Sequence, residues 1–549
     1  MYLTNTFDSE GLLQLQKTGD NDMQALELSQ LSTKQKLGLA TNFCLRRYEQ
    51  LDYALELIRE HSLGSIWIYQ LKNHDEVIAK LNETADYPIL IMTDAESGFI
   101  PNRIGGQYAL SVTDDEECAY AFGKTVGTDA RRLGYNMVCN PLLDMNMTNC
   151  VCNGTMRSMG GDKYKVAKMA AAQIRGMHDA GVLCCAKHYP GHTAIFDKDS
   201  DIDGHMGNRP PAKDTAEMLL DYNLYPYFAL DKEGILDAIM VGHAWFENVD
   251  PDYPACLSKK LLGLFRDRGF DGLGVTDALN MMGTVAKFGK SNTIGMAIEA
   301  GNDIALAFHD DNRFSFNAMH ECYEKGLVSD EALDTAVRRI IDVQKKLLAM
   351  QPHELTEKDK ENFKKINDNS VYVKLDEGVS PAISRDGKHY FAILTEHPMD
   401  IEEHEGEEIG TMDRNWYRPR ELARYLSKLF PNSTIGSISQ YPSWNENYNV
   451  LENSLDHEDV IFVTFFAGFC YLGDECFTSR ILSLMKAMQT TDRISTIVHA
   501  GNPFVIEDVP HMPRLIFATA SHGSSMRALD VLAGLAEPTG KEVYDVKLK

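Results

Sequence analysis

The amino-acid sequence predicts an α/β protein: a (β/α)8 TIM-like barrel followed by a smaller α/β sandwich domain. Three observations lead there. Short apolar runs alternate with amphipathic stretches from Ser65 to Met350, the pattern of parallel βα units. Seven or eight such units over about 300 residues suit a closed barrel better than an open sheet. A charged stretch poor in apolar residues, Gln351 to Asn369, then precedes a second and shorter alternation.

Taken in order, the chain first shows apolar residues at helical spacing between Ala25 and Arg59, read as a helical opening. The runs Ser65 to Tyr69, Tyr87 to Thr93, Asn136 to Leu143, Val182 to Ala186, Ala238 to Val241, Leu273 to Thr276 and Asp303 to Phe308 are short and apolar and read as buried strands. Between them Asp115 to Leu133, Tyr164 to Ala180, Thr215 to Asp231 and Ser258 to Arg268 read as helices. The helix Asp330 to Met350 closes the pattern, with Leu333, Val337, Ile340, Ile341 and Leu347 on one face. The expected domains are therefore a barrel at 1–350, a linker at 351–369 and an α/β sandwich at 370–549. In the last, His389 to Thr395, Val460 to Phe465, Ser495 to His499 and Leu515 to Ala518 read as strands, and Arg418 to Leu429, Ser479 to Met488 and Ser525 to Leu535 as helices. It has no Gly-rich phosphate loop, so a nucleotide cofactor has no support.

The 549 residues exceed what one hydrophobic core supports. Eighty acidic against 54 basic residues give a net charge of -26, a surface that repels phosphate backbones and anionic headgroups. Nucleic acid and membrane partners are thereby disfavoured; oligomeric state is not legible. The opening MYLTNTFDSEGLLQLQ lacks the basic and apolar regions of a leader, so a cytoplasmic protein is expected. Eleven cysteines without regular spacing read as reduced thiols, mostly buried. Neither Cys150–Cys152 nor Cys184–Cys185 has zinc-ligand spacing, and no metal or other cofactor is expected.

The chemistry lies where the runs end. Asp94, Asp144, Lys187 with His188, His243 and Asp277 follow five consecutive runs, and in a barrel of this kind residues at the carboxyl ends of different strands share one rim. Asp277, in Gly274-Val275-Thr276-Asp277-Ala278, is a lone carboxylate at the end of a buried strand. Lys187, Arg157 and His188 are its candidate partners. An ionised Asp held beside a substrate carbon is a common nucleophile in glycoside chemistry; the plainer reading is a helix N-cap. Asp203 and His205, two apart in an acidic loop, could pair so that the carboxylate orients an imidazole whose pKa suits proton transfer; the plainer reading is a solvated loop. Asp199, Asp201, Asp203 and Gly204 imitate the first half of a calcium loop, but Pro210 stands where the bidentate Glu belongs.

These stretches resemble a known family. Lys187-His188-Tyr189-Pro190-Gly191-His192 resembles the KH(F/Y)PG signature of glycoside hydrolase family 3, in its β-N-acetylhexosaminidase branch. In the same order as in that family, Leu31 to Gly38 is similar to its opening helix and Asp94-Ala95-Glu96-Ser97-Gly98 to its D-x-E-x-G segment. Pro141-Leu142-Leu143-Asp144 and Arg157-Ser158-Met159-Gly160 are similar to a strand end and a turn, and Gly269 to Asp277 to the nucleophile segment. The resemblance implies a small-molecule or oligosaccharide substrate, and with it a retaining exo-β-N-acetylglucosaminidase acting on amino-sugar conjugates such as cell-wall or chitin fragments. It implies Asp277 as nucleophile, Asp94, Arg157, Lys187 and His188 on sugar hydroxyls, and Arg103 as the arginine after D-x-E-x-G. Asp203-Gly204-His205 matches the branch's D-x-H dyad, with His205 as acid/base, after a longer loop. Three alternatives remain: a β-N-acetylglucosaminide phosphorylase, a β-glucosidase or β-xylosidase taking its acid/base from the second domain (Asp474 or Glu475), and a non-catalytic sugar-binding protein, to which Met159 in an aromatic's usual place points.

Overall fold

The computed structural model describes residues 23–69, 71, 73–147, 155–191, 212–395, 418–466 and 476–548. Seven parallel strands lie side by side in chain order: β1 (Phe43–Leu45), β2 (Ser65–Ile68), β3 (Leu90–Thr93), β4 (Met137–Val138), β5 (Leu183–Tyr189), β6 (Ala238–Val241) and β7 (Leu273–Thr276). Ile304 and Ala305 close the ring, bridging Val275 of β7 on one side and Thr41, just ahead of β1, on the other. The Ala305 N–H donates to Ala40 O at 2.9 Å and the Asn42 N–H to Ala305 O at 3.1 Å. The run expected as the last strand therefore takes the eighth place with two bridged residues. The helical opening is corrected: its helices Thr33–Leu39 and Leu51–Arg59 flank β1, a strand of three residues that helical spacing on either side conceals.

Alternation along the strands fills the barrel. Leu90 and Met92, Leu183 and Cys185, and Leu273 and Val275 point inward with Trp67, Met137 and Met240, while Cys184, Ala186 and Ile239 pack outward against the helices. With a period of two, the next inward positions are 94, 187 and 277. Two of these residues carry negative charge and one positive, and all three arrive at the barrel's mouth.

At the opposite, amino-terminal end the charges are locked into pairs. Asp237, just before β6, takes the His178 imidazole at 2.7 Å, the Cys184 N–H at 2.8 Å and the Lys346 ammonium at 2.5 Å. Burial raises its pKa, but these partners outweigh it and hold the carboxyl below its ordinary value. His178, Cys184 and Asp237 form the one cluster of metal-binding type among the described residues; the Lys346 ammonium pairs with the other oxygen of the same carboxylate. A depressed carboxylate stabilises the fold fully above its unfolded pKa of about 3.9 and loses that contribution as pH falls through the folded value. Asp237→Ala is expected to cost about 3 kcal/mol at pH 7, read as a lower thermal midpoint, with KM unchanged because the residue stands at the far end from the mouth.

The second sheet has the order β10 (Thr434–Ser439), β9 (His389–Thr395), β11 (Asp459–Phe466), β12 (Ile494–Gly501), β13 (Arg514–Ala518), β8 (Val371–Leu375); only β8 runs antiparallel. Apolar clusters cover both faces. The two strands absent from the sequence reading, β8 and β10, are its two edges. β10 reads Thr-Ile-Gly-Ser-Ile-Ser, with little apolar pattern, whereas β8 reads Val-Tyr-Val-Lys-Leu and stands directly after the charged stretch.

The stretch expected as a linker is a docked helix, Glu357–Asp368, begun by a capping box of Thr356 and Asp359. Its charged composition is explained by what it meets: Asp359 pairs with Lys124 at 2.9 Å, both buried, and Asn367 takes the Ser521 hydroxyl at 2.8 Å. Tyr108 of the barrel and Tyr372 of β8 share a hydrogen bond of 3.0 Å in a buried cluster that also holds Val112, Met156, Phe504 and Tyr544. All eight described cysteines are free thiols and seven are buried. Among the described residues no helix is long and apolar enough to cross a membrane.

Candidate active site

Around the mouth, in chain order, stand Arg46 after β1, Tyr69 after β2, Asp94 and Glu96 after β3, Asp144 after β4, Lys187 and His188 on β5, His243 after β6, Asp277 after β7 and Phe308 in the eighth place. Asp94 and Asp277, four places apart on an eight-place ring, face each other across it.

Lys187 is the centre of the polar half. It is 2% exposed, and its ammonium lies 2.6 Å from an oxygen of Asp94 and 2.6 Å from one of Glu96. Arg157 grips both oxygens of Glu96, at 2.7 and 2.8 Å, the planar fork that a carboxylate matches best. Burial penalises the Glu96 charge, but Arg157 and Lys187 outweigh that penalty and hold its carboxyl well below the usual range. Burial likewise opposes the Lys187 charge, and Asp94 and Glu96 overcome it, raising the lysine above its ordinary value. Asp94 keeps half of its side chain in solvent and faces the open mouth.

His188 is fixed from behind. Asp144, 1% exposed, accepts the His188 N–H at 3.1 Å and its Nδ1–H at 2.6 Å, which aims Nε2 at Asp277, 3.9 Å away. The Lys187–His188 peptide bond is cis. Asp144, expected among the substrate contacts, is buried behind His188 and holds it through one carboxylate oxygen. The N-cap reading of Asp277 does not hold: the following helix, Met282–Phe288, has Met281 at its cap. The Asp277 carboxylate instead accepts the N–H of Ala278 at 2.7 Å.

His243 sits beneath that turn. Its Nε2–H donates to Ala278 O at 3.0 Å, and Nδ1 lies 3.1 Å from Cys256 Sγ. Burial, with the Asp277 charge nearby, pushes the Cys256 thiol upward, so the sulfur keeps its proton. Arg103 follows in the loop after Glu96, half-buried. Asp203 and His205 lie outside the described residues, as do Asp474 and Glu475.

The other half of the mouth is aromatic. The Arg46 guanidinium lies over the Tyr69 ring at 4.7 Å and the Phe308 ring at 5.6 Å, and Phe308 meets Trp67 edge-on at 5.1 Å. Glu96 and this wall were not among the sequence candidates. The signal for Glu96 was present in the stretch Asp94-Ala95-Glu96-Ser97-Gly98; the wall gave none, because Arg46, Tyr69 and Phe308 are far apart in sequence and two of the three are aromatic rather than charged.

A family model described as the N-terminal domain of glycosyl hydrolase family 3 matches residues 27–343. A β-N-acetylglucosaminidase/β-glucosidase of Cellulomonas fimi is 28% identical over 342 residues, which are 58% of each protein. A β-hexosaminidase of Pseudomonas aeruginosa (strain LESB58) is 30% identical over 231 residues, 40% of this chain and 67% of that one. Among solved structures, a family 3 β-N-acetylglucosaminidase from Paenibacillus sp. str. FPU-7 superposes with a TM-score of 0.76 at 26% identity, over 94% of this chain and 99% of its own. A β-glucoside phosphorylase superposes at 0.75 with 22% identity, over 98% and 96%, a likeness of fold.

Proposed function

Because the chain belongs to glycosyl hydrolase family 3, we propose that it is a retaining exo-β-N-acetylglucosaminidase whose covalent nucleophile is Asp277. The observation that carries this reading is the mouth itself, with Asp277 set opposite the Asp94–Lys187–Glu96–Arg157 cluster. A carboxylate at one side and charged hydrogen-bonding groups at the other suit a single pyranose, its anomeric carbon at Asp277 and its O4 end at Asp94. The relatives named for N-acetylglucosaminides support the sugar. Amino-sugar conjugates are the proposed substrates.

In the first step an Asp277 oxygen attacks C1 from the α face, the C1–O bond breaks, and the leaving oxygen takes a proton from His205. In the second, water gives a proton to His205, attacks C1 and releases Asp277. Right-handed crossovers order the strands counterclockwise seen into the mouth, whereas a β-D-pyranose seen from its aglycone face is numbered clockwise. With C1 at β7 and C4 at β3, the C2–C3 edge lies toward β6 and β5, over His188 and Lys187. The C5–C6 edge lies against Arg46, Tyr69 and Phe308.

His205→Ala is expected to slow substrates with poor leaving groups far more than nitrophenyl glycosides, which depart with little protonation, and azide is expected to restore turnover as a glycosyl azide. An equal loss on both substrates without rescue would remove His205 from the mechanism. Running the wild-type reaction with and without phosphate, and looking for a sugar phosphate, tests water as the acceptor.

A further inference from the structure

The turn that carries Arg157 is held by the far end of the chain, and we propose that Tyr544 is a positioning residue for the sugar clamp. The inference rests on the functional reading above and adds the second domain to it. Tyr544 is 1% exposed. Its hydroxyl donates to Thr155 O at 2.8 Å and Ser158 O at 3.2 Å, the carbonyls on either side of Arg157.

Neighbouring backbone is pinned as well. Met156 O accepts the Tyr108 N–H at 3.2 Å, Met159 O the Ser111 hydroxyl at 2.6 Å, and Gly160 O the Asn146 N–H at 3.2 Å. Tyr544 is therefore the one of these donors that spans the arginine, holding Ser158 directly after it and Thr155 two residues before it. Gly160 has φ +99°, and a Cβ there would lie 2.7 Å from Val543, so the tail is packed directly on the turn.

The tail is itself tied to both bodies. The Gly540 N–H donates to Val371 O of β8 at 2.8 Å and the Lys541 N–H to Val112 O of the barrel at 2.8 Å; Lys541 also pairs with Asp114 at 2.8 Å. The Tyr544 ring stacks on Tyr108 at 5.3 Å. A rigid turn matters because Arg157 compensates Glu96, and Glu96 with Asp94 fixes Lys187. A turn free to shift loosens three charged groups at once, the groups that meet sugar hydroxyls in ground state and transition state alike. Such a loss raises KM more than it lowers kcat.

The test compares Tyr544→Phe, which keeps the ring, with Tyr372→Phe, which removes a hydroxyl from the same interface without touching the turn, and with Arg157→Ala and the Arg157→Ala/Tyr544→Phe pair. Full-length proteins are assayed on 4-nitrophenyl β-N-acetylglucosaminide with thermal midpoints recorded. Tyr544→Phe is expected to raise KM about tenfold, Tyr372→Phe to leave KM and kcat at wild-type values, and Tyr544→Phe to add nothing in the Arg157→Ala background. Wild-type KM in Tyr544→Phe, the same KM shift in Tyr372→Phe, or additive effects in the pair would each overturn the proposal. If the wild-type chain releases no nitrophenol, the substrate reading fails instead, and the four variants are compared on the β-glycoside that it does cleave.

Discussion

Asp277→Ala is expected to lower turnover of an aryl β-N-acetylglucosaminide by about four orders of magnitude, with little change in thermal midpoint. The size follows from the role: without the carboxylate no covalent intermediate forms, and water must attack a sugar whose leaving group is only partly protonated. The small stability effect follows from position. The Asp277 carboxylate is partly open to the mouth, where it accepts the Ala278 N–H. Its backbone N–H, which the substitution keeps, donates to Val241 O at 2.8 Å, and the helix beyond has Met281 at its cap. Normal turnover in this variant would move the nucleophile elsewhere.

Glu96→Gln is expected to be the second most damaging change. The carboxylate faces two cations at 2.6 to 2.8 Å, and a neutral amide would leave both without their shared anion in a site that is mostly buried. Breaking such a network costs about 3 kcal/mol or more, about a hundredfold in kcat/KM where the loss falls on substrate binding. The pH profile separates Glu96 from the acid/base. Its pKa is depressed, so its stabilisation is complete above about pH 4.3 and is lost only as pH falls through the lower folded value. Glu96→Gln should therefore lower the kcat/KM profile and leave its acid limb between about pH 5 and 7 where it was. A displaced limb would make Glu96 a titrating participant.

The inward charges were legible because one rule, alternation along a strand, governs both the buried layers and the last residue before the loop: 90, 92 and 94, 183, 185 and 187, and 273, 275 and 277 are single series. What the sequence concealed was either short or contextual. β1 is three residues long, β10 has little apolar pattern, and β8, though apolar, follows directly on the charged stretch. The helix Glu357–Asp368 resembles a linker by composition because it meets charged groups of other helices and gives the core only Ile366 and part of Phe363. The same holds within the site: Asp144 shows as a polar strand end, but only the fold places it behind His188. Nothing local joins Tyr544 to a turn nearly 390 residues earlier.

The central claim is the covalent bond to Asp277. Peptide mass spectrometry of the enzyme quenched with an activated 5-fluoro N-acetylglucosaminide, whose slow second step lets the intermediate accumulate, tests it directly. The predicted result is one sugar adduct on the peptide that contains Asp277, lost on longer incubation as activity returns. An adduct on a different residue, or an inverted product without any adduct, would contradict the account.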